Sequence, residues 1–276
     1  MLGAVFGDIV GSVYERHNVK SKNFPLESSG TRFTDDSVMT LAVARWLLED
    51  QMHSSEHLVH CMQELGRMFP RAGYGGGFRR WLQSSDPQPY NSWGNGSAMR
   101  VSPVGLYATS LEEALQLASI SASVTHNHPE GIKGAMAVAH CIFLNKNRDN
   151  GSMGLDEVKE CIKREIPERY GYDLSRTLDE IRPGYRFDVS CQGSVPEAII
   201  AFLESESLED CVRNAISIGG DSDTIAAIAC SIFAASHDGR DEDLMNRFVR
   251  YLPDELITVM DKFEQMVFPD RNKRAV

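Results

Sequence analysis

Apolar residues recur at intervals of three and four along most of this chain, the spacing that places them on one face of an α-helix. The pattern predicts helices over 35–50, 56–68, 111–124, 130–145, 155–165, 195–204, 208–217, 223–236, 241–251 and 254–267. Ser194 with Glu197 resembles a capping box, and Pro196 stands where a first helical turn tolerates proline. Strand-like patterning is confined to "YRFDVSC" (185–191). We therefore expect an all-α protein.

The N-terminal stretch "MLGAVFGDIVGSVYE" is also predicted to be a core helix. It is a poor signal peptide, because it has no basic start and carries Asp8 inside its apolar run. Glycines recur every fourth residue from Gly3 to Gly11, which favours close helix packing. Asp8, Ser12 and Glu15 share the polar face of the same helix.

Three long segments, 16–34, 69–98 and 166–195, lack helical periodicity. Loops longer than ~12–15 residues in a compact domain are usually functional or mobile. No internal repeat and no linker of distinctive composition divides the chain, so we expect one domain over 1–276.

Composition and charge narrow the class of function. The net charge is −11, from 28 basic and 39 acidic residues, which disfavours nucleic acids and anionic membrane surfaces as general partners. The six cysteines show neither zinc spacing nor a disulfide framework. No run approaches the ~20 apolar residues of a membrane span. We expect a soluble, cytoplasmic protein, and nothing requires more than a monomer.

A pair of acidic clusters stands at two predicted helix starts. In "TDDSVM", Thr34 precedes Asp35 and Asp36, which lie in a first turn where the helix dipole favours anions. This arrangement alone is explained by an ordinary helix cap. Adjacent carboxylates, however, repel by roughly 1–4 kcal/mol, whereas a dipole end offsets only ~0.3–1 kcal/mol.

The second cluster repeats the arrangement. Asp221, Asp223 and Thr224 precede "IAAIACSIFAA", which is predicted to be a central buried helix, and Gly219 with Gly220 permit a tight turn before them. If the two helix starts face each other, their charge requires bound cations. Oxygen ligands select hard ions such as Mg²⁺, Mn²⁺ or Ca²⁺.

Two further stretches are candidates for substrate contacts. "NSWGNGSAMRVSP" (91–103) contains a tight turn with free backbone amides, suited to sugar or phosphate oxygens, although it is also an ordinary turn. "THNHPEG" (125–131) offers His126 and His128, but a histidine bonded to a carbonyl at a helix end is as reasonable an interpretation.

Five motifs, in order, resemble the ADP-ribosylglycohydrolases, a family that includes dinitrogenase-reductase-activating glycohydrolase and the ADP-ribosyl-acceptor hydrolases. The similarity covers residues 1 to about 237. The motifs are "GDIVGSVYE", "TRFTDDSVMT", "GNGSAMRVSP", "SVTHNHPEGIKGA" and "GSVPEAIIAFL…AISIGGDSDTIAAIACSI".

The resemblance implies a single-domain orthogonal helical bundle with a binuclear Mg²⁺ or Mn²⁺ centre that cleaves ADP-ribose from an acceptor at ribose C1″. Ser222 replaces the family's usual threonine, between the matched positions. The implied substrate-binding residues are Asp35, Ser92, Trp93, Gly94, Asn95, Gly96, Met99 and His126. The implied metal ligands are Glu15, Thr34, Asp35, Asp36, Asp221, Asp223 and Thr224.

Glu15, Asp35 and Asp36 are the expected catalytic residues. Metals would orient the ribose and lower the pKa of a bound water. Because carboxylates bound to metal should have depressed pKa values, Glu15 or a bound water is a better acid or base than Asp35.

Three alternatives remain at this stage. "DSDT" resembles an aspartyl-phosphate phosphatase motif but lacks the strand before it. A non-catalytic ADP-ribose-binding protein would be expected to have lost metal ligands. A hydrolase of a small conjugate, such as O-acetyl-ADP-ribose or an ADP-ribosylated base, stays open. The acceptor, whether a protein arginine or serine or such a small molecule, would be chosen by residues 16–33 and 69–91.

Overall fold

A computed structural model describes residues 1–148 and 153–269 of the chain. These residues form helices and no strands, which confirms the all-α prediction. The helices are α1 Leu2–Gly11, α2 Asp35–Glu49, α3 Ser55–Met68, α4 Gly76–Gln83, α5 Gly96–Met99, α6 Ser102–Tyr107, α7 Leu111–Ser123, α8 Pro129–Asn147, α9 Leu155–Tyr170, α10 Leu178–Ile181, α11 Cys191–Leu203, α12 Leu208–Ser217, α13 Ser222–Phe233, α14 Glu242–Val249 and α15 Asp254–Val267.

The strand prediction for 185–191 is wrong. This segment makes one isolated bridge, between Ser190 and Gly94. Two backbone hydrogen bonds flank it, from Asn95 N to the Val189 carbonyl (2.8 Å) and from Cys191 N to the Trp93 carbonyl (2.9 Å). The segment therefore ties the 91–96 loop to the start of α11 without belonging to a sheet.

The predicted start of the helix near residue 195 is also wrong. Ser190 caps α11 by accepting from Gly193 N at 3.1 Å, so Pro196 lies inside the helix. Ser194 instead donates to the Ser190 carbonyl at 2.7 Å. Glu197 pairs with Arg176 at 2.9 Å.

The long irregular segments contain more helix than predicted. Helix α4 lies within 69–98, and α10 lies within 166–195. Helix α9 continues to Tyr170, and α1 ends at Gly11. Glu15 therefore stands in the turn after α1 rather than on its polar face.

The glycine stripe brings α1 against α13, which lies at the centre of the core. A Cβ at Gly3 would lie 2.4 Å from the Cys230 carbonyl oxygen, and one at Gly7 would lie 2.2 Å from that of Ala226. A Cβ at Gly11 would lie 2.5 Å from Asp223 Cα. The two backbones meet along the whole of α1, as the stripe predicts.

Other helices pack around this pair. Helices α8, α11 and α12 contact α13, and α2 contacts α1, α3, α6 and α15. The six cysteines are free thiols, five of them buried. Among the described helices, none combines the length and apolar character needed to cross a bilayer.

Candidate functional site: a buried carboxylate cluster

The two acidic clusters meet at the starts of α2 and α13. Thr34 caps α2, its hydroxyl accepting from Asp36 N at 3.3 Å. Asp221 occupies the cap position of α13 without a side-chain capping bond. Gly219 and Gly220 precede it with φ of 76° and 72°, values that favour glycine. The tight turn expected from the sequence is present.

Asp8, which was not among the predicted site residues, lies between the two helix starts. It is fully buried on α1. Its Oδ2 accepts from Thr34 N (2.9 Å) and Ser37 N (3.1 Å), and its Oδ1 accepts from the Thr34 hydroxyl (2.6 Å). Carboxylate oxygens of Asp8, Asp36 and Asp223 lie within 4.8 Å of one another. The signal for Asp8 was an acid inside an otherwise apolar helix.

Without a bound cation, ionising the buried carboxylates of this cluster is unfavourable. Burial raises the pKa of Asp8, and burial followed by the neighbouring carboxylates raises those of Asp36 and Asp223 well above their ordinary value. Burial, then the charge of Asp8, raises the pKa of Asp35 to about 7. Burial raises that of Asp221 to about 6. The fold thus concentrates negative charge where it is poorly solvated.

The donor set fits a hard cation. Asp36 Oδ1 is buried and has no hydrogen-bond partner among the described residues. The side chains around it offer carboxylate and hydroxyl oxygens, the ligands that Mg²⁺ and Mn²⁺ prefer. A divalent cation would offset the charge and complete the coordination of this oxygen.

A cavity of about 450 Å³ opens above the cluster. Nearly all residues that the sequence singled out line it. They are Glu15, Thr34, Asp35, Asp36, Ser92, Gly94, Asn95, Gly96, Met99, His126, Asp221, Asp223 and Thr224. Trp93 does not line the cavity; it is 53% exposed, and its ring lies edge-on to that of His128 at 5.7 Å.

The 92–96 loop is joined directly to the carboxylates. Asn95 is buried, and its side-chain amide donates to Asp221 Oδ2 at 2.7 Å. Gly94 N donates to the Ser92 hydroxyl at 3.1 Å. Helix α5 begins immediately afterwards, at Gly96. The loop that lines the cavity wall and the cluster beneath it are therefore held in one hydrogen-bonded unit.

The two histidines occupy different environments. His128 caps α8, its Nδ1 accepting from Glu130 N at 3.1 Å, which is a structural role. His126 is buried and lines the cavity. Burial, followed by the nearby charge of Arg100, holds the pKa of His126 well below its ordinary value.

The turn that carries Glu15 is fastened to the start of α13. The side-chain amide of Asn18 donates to the carbonyls of Tyr14 (2.6 Å) and Gly220 (3.0 Å) and accepts from Gly220 N (2.8 Å). Lys20 donates to the Ile218 carbonyl at the end of α12. Glu15 is half-buried at the cavity wall. No local sequence pattern marked Asn18, because its partner lies 202 residues away.

The edge of the cavity adds residues that the sequence did not single out. Arg16 and Arg32 contribute positive charge, whereas Phe187 and Val189 are 55% and 52% exposed and contribute apolar surface. These residues come from the 16–34 segment and from the extended stretch before α11, so the edge is non-helical.

Comparisons with known proteins agree with this architecture. The ADP-ribosylglycohydrolase family model matches residues 1–267. The chain is 25% identical to human ADP-ribosylhydrolase ARH3 over 309 aligned residues, which cover 88% of this chain and 85% of the human protein. It is 26% identical to mouse ADP-ribosylhydrolase ARH3 over 302 aligned residues, which cover 85% of this chain and 82% of the mouse protein. A solved structure titled ADP-ribosylglycohydrolase-related protein complex superposes with a TM-score of 0.67 at 22% identity over 97% of each chain, which shows a shared fold. On these grounds, the chain belongs to the ADP-ribosylglycohydrolase family.

Proposed function

We propose that this protein hydrolyses the bond between ribose C1″ of ADP-ribose and an acceptor side chain such as arginine or serine, and so reverses protein ADP-ribosylation. The observation that carries the proposal is the buried carboxylate cluster at the base of a 450 Å³ cavity. Membership of the ADP-ribosylglycohydrolase family supports the substrate class.

The residues present fit a binuclear metal centre. When bound, the cations would supply positive charge that orients the ribose and lowers the pKa of water. Asp8 is better placed to position the α2 start, because both its oxygens already accept hydrogen bonds from Thr34 and Ser37. The residues proposed to hold two Mg²⁺ or Mn²⁺ ions are Glu15, Thr34, Asp35, Asp36, Asp221, Asp223 and Thr224.

The side chains around the cavity have distinct proposed tasks. Cleavage leaves C1″ electron-deficient, and the negative charge of Asp35 and Asp36 stabilises that centre. The acceptor leaves with a proton that Glu15 supplies, water adds its oxygen to C1″, and the resulting Glu15 carboxylate takes up the proton that this water releases. Glu15 suits this task because it stands at the cavity wall.

The remaining wall residues are proposed to bind the ADP-ribose moiety. Ser92, Gly94 and Gly96 present a hydroxyl and a backbone close to the cavity, and His126 lies against them. Met99 contributes apolar contact on the same wall. Trp93 is proposed to shield a bound ring from the exposed side of this loop.

We further propose that one domain, acting as a monomer, is the working unit. Among the described residues, one hydrophobic cluster extends from Met1 to Phe268, which supports one domain. The two acidic clusters and the 92–96 loop line one cavity within this chain.

The decisive experiment assays ADP-ribosyl-arginine, ADP-ribosyl-serine and O-acetyl-ADP-ribose with Mg²⁺, with Mn²⁺ and with EDTA. We expect hydrolysis of at least one protein-type conjugate, supported by a divalent cation and abolished by EDTA. Hydrolysis confined to O-acetyl-ADP-ribose would reassign the acceptor to a small molecule. Activity undiminished in EDTA would refute the metal centre.

A matched pair of variants tests the site itself. Asp223→Asn removes a carboxylate from the cluster, and single-turnover hydrolysis should fall by roughly 10²-fold or more. Asp261→Asn makes the same chemical change at an exposed position of α15 and should leave the rate unaltered. Equal rates in both variants would contradict the assignment.

A further inference from the structure

Arg100 is a buried cation that has no carboxylate partner among the described residues. It is 1% exposed and lies at the cavity wall, at the end of α5. Its guanidinium donates to the carbonyls of Gly96 (3.1 Å) and Ser121 (2.6 Å) and to the Thr125 hydroxyl (2.9 Å). Its Nε has no partner among the described residues. Burying a charge without a carboxylate partner costs free energy.

Thr125 links Arg100 to His126. The Thr125 hydroxyl oxygen accepts from Arg100, since a guanidinium only donates, and it lies 2.7 Å from His126 Nδ1. Among the described residues, Nδ1 and the donor Arg100 are the hydrogen-bond partners of this hydroxyl, so we infer that the hydroxyl hydrogen points to Nδ1. Donation in that direction requires an unprotonated Nδ1. The single hydrogen of the neutral imidazole then resides on Nε2.

His126 Nε2 lies against the 92–96 loop. A Cβ at Gly96 would be 3.1 Å from this nitrogen, and one at Gly94 would be 3.5 Å away. Because neither residue has a side chain, a ligand oxygen can approach Nε2 there. An N–H at Nε2 can donate a hydrogen bond to an anionic oxygen of a ligand. The positive charge of Arg100, which contacts the neighbouring Thr125, also favours an anionic ligand.

We propose that Arg100 and Thr125 are positioning residues that hold His126 as the neutral tautomer with hydrogen on Nε2, for donation to a phosphate oxygen of ADP-ribose. The lowered pKa of His126 agrees with this arrangement, because burial and then the adjacent charge of Arg100 disfavour an imidazolium. Only the identity of the ligand rests on the proposed function; the tautomer rests on the hydrogen bonds.

The tautomer is tested by ¹⁵N NMR of the histidine rings in the wild-type protein, with the His126 signals assigned by their loss in His126→Gln. We expect unprotonated Nδ1 and protonated Nε2. Thr125→Val should produce a mixture of tautomers, and Thr125→Ser should restore the wild-type pattern. A proton on Nδ1 in the wild type would overturn the proposal, even if Thr125→Val does not fold.

The functional consequence is measured by calorimetric titration with ADP-ribose. Thr125→Val should raise the Kd about threefold to tenfold, as expected for weakening one charge-assisted hydrogen bond. Thr125→Ser should bind like the wild type. Ser231→Ala should also bind ADP-ribose like the wild type. This control deletes a buried 2.7 Å hydrogen bond from the Ser231 hydroxyl to the Ile228 carbonyl on α13, and Ser231 does not line the cavity.

The two results separate the positioning role from the proposed function. An unchanged tautomer and an unchanged Kd in folded Thr125→Val would refute the positioning role while leaving ADP-ribose hydrolysis intact. Absence of ADP-ribose binding by the wild-type protein would contradict the proposed function and the phosphate ligand, and the NMR result would then decide the tautomer by itself.

Discussion

Asp36 combines a proposed catalytic role with an electrostatic cost. Its Oδ1 is buried without a partner, and burial and the surrounding carboxylates raise its pKa. A group in that environment destabilises the metal-free fold when ionised, yet it supplies a ligand when a cation is present. Removing the Asp36 carboxylate should therefore lower the activity but preserve or raise the stability of the metal-free protein.

Asp36→Asn should abolish most cation-dependent hydrolysis, by roughly 10²-fold or more. In EDTA the same variant should melt at the wild-type temperature or above it, because one buried negative charge is gone. Activity assays and thermal melts with and without Mg²⁺ measure both effects. Asp261→Asn is the control, and a variant that keeps Mg²⁺-dependent activity would show that Asp36 is not a ligand.

The whole carboxylate cluster should make metal-free stability fall as pH rises. The pKa values of Asp221 and Asp35 are raised to about 6 and about 7, whereas unfolded aspartate titrates near ~3.9. Between these values the folded chain binds more protons than the unfolded chain, so unfolding becomes easier with increasing pH.

In EDTA we expect Tm to decrease from pH 5 to pH 8, on the order of 5 °C. Saturating Mg²⁺ should reduce this slope, because cation binding favours the ionised carboxylates. Melting curves over this pH range, with each buffer matched for ionic strength, provide the measurement. A Tm that rises with pH in EDTA would contradict the raised pKa values.

Residue by residue, the sequence was informative where chemistry clusters locally. Thr34, Asp35 and Asp36 are adjacent in the chain, and they lie in one cavity with the second acidic cluster. Asp8 and Asn18 escaped prediction because their partners are distant in sequence. Asp8 contacts Thr34, 26 residues away, through bonds that only the fold creates.

At the scale of elements, close packing of α1 on α13 sets the spacing of the acids. Gly7 faces the Ala226 carbonyl, at a separation where a Cβ would lie 2.2 Å from backbone oxygen. Asp8 follows Gly7 on α1, and Asp223 lies on α13. A shift between these helices would therefore move carboxylates relative to one another.

Gly7→Ala should destabilise the protein by about 1–3 kcal/mol or more, since a backbone clash cannot be relieved by a rotamer change. It should also weaken Mg²⁺ binding. Urea unfolding and calorimetric titration measure the two effects. Gly184→Ala is the matched control, because nothing lies within 4 Å of its added Cβ. Equal stability of the two variants would argue against the close approach.

The turn after α1 offers a second element-scale test. Asn18→Ala removes the side chain that joins the Glu15 turn to Gly220. We expect kcat to fall about tenfold, because Glu15 is no longer held beside the cavity. Asn23→Ala, at an exposed position of the same loop, should leave kcat unchanged. An unchanged kcat in Asn18→Ala would show that the tether is dispensable.

Helices with long apolar periodicity were predicted well, and short or weakly marked ones were not. The α4 sequence "GGFRRWLQ" begins with glycines and no side-chain cap, so its start carried no signal. Helices α5 and α10 have four residues each, fewer than periodicity can resolve. At α11, two serines four residues apart were both plausible caps, and tertiary contacts of the 185–190 segment favour Ser190.

Across the whole molecule, Glu264 connects distant parts of the chain. From α15 it accepts from Leu2 N at 2.9 Å and pairs with Arg240 at 2.8 Å, with both side chains buried. Glu264→Gln should lower the free energy of unfolding by about 1–3 kcal/mol, since Arg240 loses the buried one of its two carboxylate partners and keeps Glu242. Cation-dependent activity per folded molecule should persist.

Urea titration measures this loss, and Glu255→Gln, an exposed change on the same helix, is the control. A Glu264→Gln variant as stable as Glu255→Gln would show that the connection contributes little. Loss of activity in fully folded Glu264→Gln would indicate an influence on the site that the structure does not predict.

The contrast between a helical base and a non-helical edge has an evolutionary consequence. The carboxylates sit at helix starts fixed by backbone packing, while the edge is built from segments 16–34 and 185–190, fastened by a few side-chain and backbone bonds. Such segments can accept insertions and exchanges without repacking the core. Selection for a new acceptor could therefore change the residues at the cavity edge while the carboxylate cluster stays the same. Exchanging these loops between relatives offers the same route to protein engineers.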